Sequence, residues 1–226
     1  KNDLIRDTRD DIYCRRYIEG KNIDRYAVKK IQFLEWNTDR VPHKLVRKTF
    51  PELYDLPKIL RGILTGAIYD DRIVGFKHSI MALVRFIDLA GIYNKSIKNS
   101  ISKFNSLPRR ELEEKSKDYD LKYLLAIINS RVAYHYLNNH RRHRLENYFY
   151  PGDLRNLPIP KIALDDQEPF ITIADQILSL KKSDPQADTS VLEDEIDRMV
   201  YELYGLTKKE IAIVGEFLCP RNSHFG

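Results

Sequence analysis

The stretch DLKYLLAIINSRVAYHY, residues 120–136, decides how the middle of the 226-residue chain folds. Its apolar side chains advance by steps of three and four, which is the spacing of one helix face. They are Leu121, Leu125, Ile128, Val132 and Tyr136. Asp120 stands just before them and suits the N-cap position. The pattern predicts one long helix near residues 120–139.

The residues before this helix favour strands. Between Tyr17 and Val84 the apolar residues form short groups separated by Pro and Gly, such as 58–61 and 73–76. Residues 67–74 resemble two strands joined by a tight acidic turn, although the turn has no Gly. We expect a hairpin there, within a β-rich or mixed region.

The residues after the long helix favour more helices. Pro158-Ile159-Pro160 enforces an extended segment. Beyond it, the capping boxes at 190–193 and 207–210 each predict a helix start, and Gly205 predicts a helix end. The predicted apolar faces of these last helices contain Phe170, Ile173, Ala174, Ile177, Ile196, Met199, Val200, Leu203, Ile211, Val214 and Phe217.

Together these patterns predict an α+β fold in two parts. Residues 1–161 form the β-rich or mixed region with the long helix. Residues 162–226 form a helical unit that packs on that region, with a loop at 183–188. With 42% hydrophobic residues, the chain can bury a real core.

Charge is distributed unevenly along the chain, with a basic middle and an acidic tail. The formal net charge is +5, but residues 40–110 carry 14 Lys/Arg against 5 Asp/Glu, an excess of +9. Residues 162–226 carry 6 Lys/Arg against 13 Asp/Glu, an excess of −7. A basic folded segment attracts a polyanion, and nucleic acid is the usual one, although a membrane surface or an acidic protein would respond to the same field.

Two basic runs are the first candidates for DNA contact. One lies near His43, in a segment with little apolar periodicity, as expected of an exposed loop. The other, 141–144, is either a solvated helix end or, with the tyrosines around it, a phosphate-contacting cluster. The predicted DNA-binding residues are Arg40, Lys44, Arg47, Lys48, Arg61, Arg72, Lys77, His78, Arg109, Arg110, Arg141, Arg142 and Arg144.

Catalytic and metal signatures are weak in this sequence. Nucleotide-binding glycine motifs, zinc-protease motifs and the Asn/Asp-Pro-Pro-aromatic motif of amino-methyltransferases are absent. Glu113 and Lys115 have the acid-x-lysine spacing of Mg²⁺-dependent nucleases, which any charged helix produces by chance. His140 and His143 have helical ligand spacing but meet no other requirement of a metal site, so surface or phosphate-contacting histidines are the favoured interpretation. We predict no catalytic or metal-binding residues in this chain.

The cysteine usage predicts a reducing cellular setting. Cys14 and Cys219 lie far apart and form no C-x-x-C pair, as expected of free thiols in the cytoplasm. The sequence has no run of about 18 apolar residues and no signal-peptide pattern. We therefore expect a cytoplasmic protein without a membrane partner.

Four phrases in order carry a family resemblance: YIEGKNIDRY at 17–26, LLAIINS at 124–130, LRNLPIP at 154–160 and EIDRMVYELYGLT at 195–207. The chain resembles the TaqI-like C-terminal specificity domain of adenine-specific DNA methyltransferases, including fused type IIG restriction-modification proteins. The resemblance spans nearly the whole chain. It does not carry over base-contacting residues, because members of the family differ most where they read sequence.

The resemblance implies a bacterial target-recognition module that grips double-stranded DNA. An upstream methyltransferase domain of the same polypeptide would bind S-adenosylmethionine and methylate a flipped adenine, so no cofactor is expected in this fragment. The start at Lys1 rather than Met agrees with a fragment. Rigid contacts beside the flipped base offset the cost of unstacking it.

Two other functions stay open at this stage. The acidic tail could dock a partner protein in a restriction-modification or phage-defence complex, with the basic middle only keeping the protein in solution. Alternatively, Glu113 and Lys115 could belong to a Mg²⁺-dependent nuclease.

Overall fold

The computed structural model of the chain describes residues 3–41, 50–62, 66–72, 74–76, 79–104, 107–140 and 149–216. Within these ranges the fold is α+β, as predicted. The strands end at Leu83 and the α-helices begin at Lys95. Helices therefore occupy the second half of the region that was expected to be β-rich or mixed.

The described strands form two small sheets. They are β1 (Ile5–Arg6), β2 (Tyr13–Ile18), β3 (Gln32–Glu35), β4 (Lys58–Gly62), β5 (Ala67–Asp70), β6 (Val74–Phe76) and β7 (Ile80–Leu83). One sheet has the order β1-β3-β2-β6, in which β6 runs parallel to β2. The other has the order β5-β4-β7 and is antiparallel. The predicted strands at 58–61 and 73–76 correspond to β4 and β6.

The predicted hairpin at 67–74 is wrong, because β5 and β6 belong to different sheets. The chain between them is held by the fully buried side chain of Lys58. Its ammonium lies 3.4 Å from the Asp70 carboxylate and donates a hydrogen bond to the Arg72 carbonyl at 3.2 Å. After β5 the chain contacts the Lys58 ammonium at Asp70 and Arg72. It then pairs with β2 as β6, and does not turn back to pair with β5.

Eight α-helices lie in the described ranges. They are α1 (Lys95–Ile101), α2 (Arg109–Ser116), α3 (Leu121–Asn129), α4 (Arg131–His140), α5 (Pro151–Arg155), α6 (Leu164–Ser183), α7 (Ser190–Leu203) and α8 (Lys208–Glu216). In the part of the chain that the structure describes, no helix has both the length and the apolar character to cross a bilayer.

The predicted single helix at 120–139 is wrong, because it is two helices that meet at Ser130. Asp120 caps α3 as predicted, with its side chain accepting from the Lys122 amide. Ser130 has an extended backbone, with ψ of 158°. Its hydroxyl accepts a hydrogen bond from the Ala133 amide at 3.2 Å, as the N-cap of α4. The periodicity continues across this break, so the sequence pattern does not show it.

The largest core surrounds α3. Its buried side chains come from β4, β5, α3, α4, α6 and α7, including Ile59, Leu125, Phe170 and Val200. The Tyr123 and Phe170 rings meet edge to face, 5.4 Å apart. Side chains from both 1–161 and 162–226 therefore share one core.

The tail follows its local sequence signals closely. Phe170, Ile173, Ala174 and Ile177 are buried, as predicted for the inner face of α6. The predicted helix end at Gly205 is confirmed, with φ of 64° directly after α7. The capping box at 207–210 is also confirmed.

The predicted cap at Ser190 is wrong by one residue. The N-cap of α7 is Thr189, whose hydroxyl donates to the Glu193 carboxylate at 2.7 Å. Ser190 is the first residue of the helix itself. Thr189 is buried, with 3% of its surface exposed, and Glu193 is buried at 7%. Their hydrogen bond therefore lies inside the fold.

Candidate nucleic-acid interface

One described surface combines positive charge with an open aromatic ring. Residues 89–110 contain five Lys/Arg and no Asp/Glu. This run covers the end of a short 3-10 turn, helix α1 and the start of α2. We call its central surface the basic patch, a shallow cavity of about 470 Å³. The residues that line it are Tyr93, Asn94, Lys95, Lys98, Ile101 and Arg109.

Local signals set the position of α1 beneath the patch. Gly91 has φ of 78°, a conformation that favours glycine, and it turns the chain toward the helix. Asn94 caps α1, since its Oδ1 accepts a hydrogen bond from the Ile97 amide at 3.0 Å. Ile97 is buried and anchors the helix to the second core cluster. The opposite side of α1 is exposed to solvent.

Arg109 is the rigid centre of the patch. Its guanidinium donates to the Leu89 carbonyl at 2.6 Å, the Ile92 carbonyl at 2.9 Å and the Glu113 carboxylate at 2.7 Å. The same group lies 4.5 Å from the ring centroid of Tyr93. Arg109 therefore fixes the loop before α1 and supports one face of the Tyr93 ring.

Three of the four other cations of this run, those nearest the patch in α1 and α2, are open to water. Lys95, Lys98 and Arg110 are exposed. Within the described ranges, no ion pair involves any of these three side chains. Exposed and unpaired ammonium and guanidinium groups keep their full charge available to an anionic partner.

Two of the predicted DNA-binding residues, Arg40 and Arg61, contact other side chains of the fold. Arg40 forms ion pairs with Glu35 and Asp3, and the hydrogen bond to Glu35 raises the pKa of its guanidinium. Arg61 is only 3% exposed, with its guanidinium 5.2 Å from the Phe149 ring centroid.

Three others have side chains that reach the surface to different degrees. Arg72 is half exposed and lies 3.9 Å from Asp71. Arg109 lines the basic patch, and Arg110 follows it along α2. The other predicted residues lie outside the described ranges. They are Lys44, Arg47, Lys48, Lys77, His78, Arg141, Arg142 and Arg144.

Sequence reasoning missed Tyr93, Lys95 and Lys98. Each looks ordinary alone, and Tyr93 meets Arg109 only through the fold. The available signal was the acid-free run at 89–110, which a count over the wider block 40–110 conceals.

The nuclease-like pair does not form a site in the described structure. Glu113 bonds to Arg109, while Lys115 pairs with Glu111 at 2.9 Å along the same helix. Among the described residues, no group of His, Cys, Asp and Glu side chains is arranged to hold a metal ion. His140 stacks on Tyr136 with a centroid separation of 4.2 Å, and His143 lies outside the described ranges.

A second cavity, of about 510 Å³, lies where β2 and β5 face α6. Its lining mixes five cations with three aspartates, and two of the cations pair across the walls, since Lys122 meets Asp175 at 2.6 Å and Arg16 lies 3.8 Å from Asp70. The basic patch, in contrast, is lined by cations without any acidic residue.

Comparison with known proteins does not extend this picture. No family model matches the chain, and no curated protein matches it either.

Proposed function

We propose that this chain is the DNA-reading module of a bacterial adenine-specific DNA methyltransferase in a restriction-modification system. It would bind duplex DNA in the cytoplasm and position an upstream domain that uses S-adenosylmethionine. The basic patch carries the proposal, because it is a fixed surface with exposed cations and no acidic residue in its sequence run.

The charge distribution supports an extended polyanion as the partner. Lys95, Lys98 and Arg110 can each approach a phosphate without first breaking an ion pair to another described residue. Helices α6 to α8 lie in the acidic part of the sequence and would repel phosphates. DNA contact would therefore be restricted to the basic side of the chain.

A salt series tests this proposal. We expect duplex DNA to bind with an affinity that falls steeply between about 50 and 200 mM salt, because phosphate contacts release counterions. Changing Lys95, Lys98 and Arg110 together to Ala should lower the slope of log K against log salt by roughly 2 to 3, since each contact contributes about 0.9. Fluorescence anisotropy with a labelled duplex measures both quantities.

The matched control removes the same number of charges elsewhere. Lys182, Lys208 and Lys209 are exposed cations of the acidic part, and their triple Ala variant should keep the wild-type slope. Equal slopes for the two triple variants would show that the basic patch does not contact DNA. No duplex binding by the wild-type chain at low salt would remove the proposal altogether.

Protein docking is the second candidate, and the exposed apolar side chains of the tail favour it. Val191 is 79% exposed on α7, which carries five acidic residues and one Arg, and Ile213 is 51% exposed on α8. Such a surface suits a partner protein with basic and apolar groups. A chain that binds no duplex DNA would point to this function.

A further inference from the structure

Tyr93 is the large apolar side chain with the greatest exposure in the described ranges, at 82%. Single exposed aromatics are common, so exposure alone indicates little. This ring differs because one face is already occupied by the Arg109 guanidinium, 4.5 Å from its centroid. The other face is open to solvent beside two lysines.

The support beneath the ring is stiff. Arg109 is tied to the carbonyls of Leu89 and Ile92 and to Glu113, so its guanidinium plane cannot follow a moving ring. A cation on one face of a tyrosine holds the ring in a defined place. The ring is therefore already ordered before a ligand binds. Stacking of a planar ligand on its free face costs little additional conformational entropy of the protein.

We propose that the free face of Tyr93 stacks on an unpaired DNA base, while Lys95 and Lys98 contact the phosphates on either side of it. This inference rests on the proposed DNA-binding function and specifies its ligand. A paired base inside a duplex is covered on both faces by its neighbours, so the ring requires a bulged, terminal or single-stranded base.

The test compares two DNAs with the full chain. One is a paired duplex with chemically capped ends, so that it offers no terminal base. The other is the same capped duplex with a single bulged 2-aminopurine, whose fluorescence falls when it stacks. We expect the wild-type chain to bind the bulged DNA about five- to a hundredfold more tightly, the range expected for one base stacked on an aromatic ring. We also expect the 2-aminopurine signal to be quenched on binding.

Two variants distinguish stacking on an aromatic ring from simple apolar contact. Tyr93→Leu keeps an apolar side chain without a π-face, and it should lose both the preference and the quenching. Tyr93→Phe keeps the ring and should retain both. Because Tyr93 is largely exposed, neither change should alter the unfolding midpoint.

The outcomes distinguish this inference from the proposed function. Salt-dependent binding with equal affinity for the two DNAs, or quenching that survives in Tyr93→Leu, would overturn the stacking role and leave duplex recognition standing. No binding of either DNA at low salt would overturn the proposed function itself, and the stacking role with it.

Discussion

At the scale of single residues, Asn129 joins two parts of the fold. Its Oδ1 accepts from the Ala67 amide and its Nδ2 donates to the Ala67 carbonyl, both at 2.9 Å. Strand β5 is at the edge of its sheet, and this amide takes the place that a further strand would occupy. The Asn of the sequence IINS, residues 127–130, therefore attaches helix α3 to the edge of strand β5.

Replacing Asn129 with Ala should destabilise the protein by about 2 to 3 kcal/mol, because the buried Ala67 amide loses its acceptor and a small cavity remains. Chemical denaturation followed by circular dichroism measures the change. Asn139→Ala is the matched control, since that side chain is exposed and bonds only within α4. A similar small effect for both variants would contradict the role assigned to Asn129.

Single residues also show why the candidate site was hard to predict. A count of positive charge cannot distinguish Arg40, which is held in ion pairs, and Arg61, which is buried, from the exposed and unpaired side chains of Lys95 and Lys98. The difference depends on partners such as Glu35 and Phe149, which the fold brings near. Of the predicted residues that the structure describes, Arg109 and Arg110 lie at or beside the patch.

At the scale of elements, the sequence predicted those helix ends that depend on contacts between neighbouring residues. The cap of α3 at Asp120 and the end of α7 at Gly205 involve residues within one helical turn, so the sequence reveals them. The break at Ser130 could not be predicted in this way. It is stabilised by the Asp197 carboxylate, which accepts from the Arg131 amide although the two residues are 66 positions apart in sequence.

The start of α8 gives a prediction about pH. Hydrogen bonds from the Thr207 amide and hydroxyl lower the pKa of the Glu210 carboxyl below its ordinary value of 4.5. This capping box should therefore stabilise the folded state fully above that ordinary pKa. The contribution should be lost as pH falls through the lower pKa of the folded state.

A carboxyl-carbon NMR titration of Glu210 measures this effect. In Thr207→Ala the hydroxyl bond is lost and the amide bond stays, so the pKa should rise part of the way to its ordinary value. Thr172→Ala, at an exposed position of α6, should leave the Glu210 titration unchanged. A Glu210 pKa that is the same in wild-type and Thr207→Ala protein would contradict the hydroxyl contribution.

At the scale of the whole molecule, the sheets and the helices are linked by buried polar contacts. Arg25 pairs with Glu193 of α7 at 3.0 Å, and both side chains are about nine-tenths buried. The Tyr26 amide donates to the Ala67 carbonyl at 3.0 Å. These contacts join the first 30 residues to β5 and to the tail.

We therefore expect the chain to unfold in one cooperative step. Trp36 is the single tryptophan, and it reports on the first sheet, where its ring lies 6.5 Å from that of Tyr54. Far-ultraviolet circular dichroism reports mainly on the helices. In urea the two signals should give the same midpoint, and separate midpoints would show two independently stable units.

The buried Lys58 makes fold and binding experimentally separable. Its ammonium bonds to three carbonyls, those of Tyr54, Leu56 and Arg72, in a place that water and ions do not reach. Dissolved ions screen exposed charges strongly and buried ones much less. Raising the ionic strength should weaken contacts at the surface while this internal anchor holds, so a loss of affinity at high salt reports on the interface and not on a loosened scaffold.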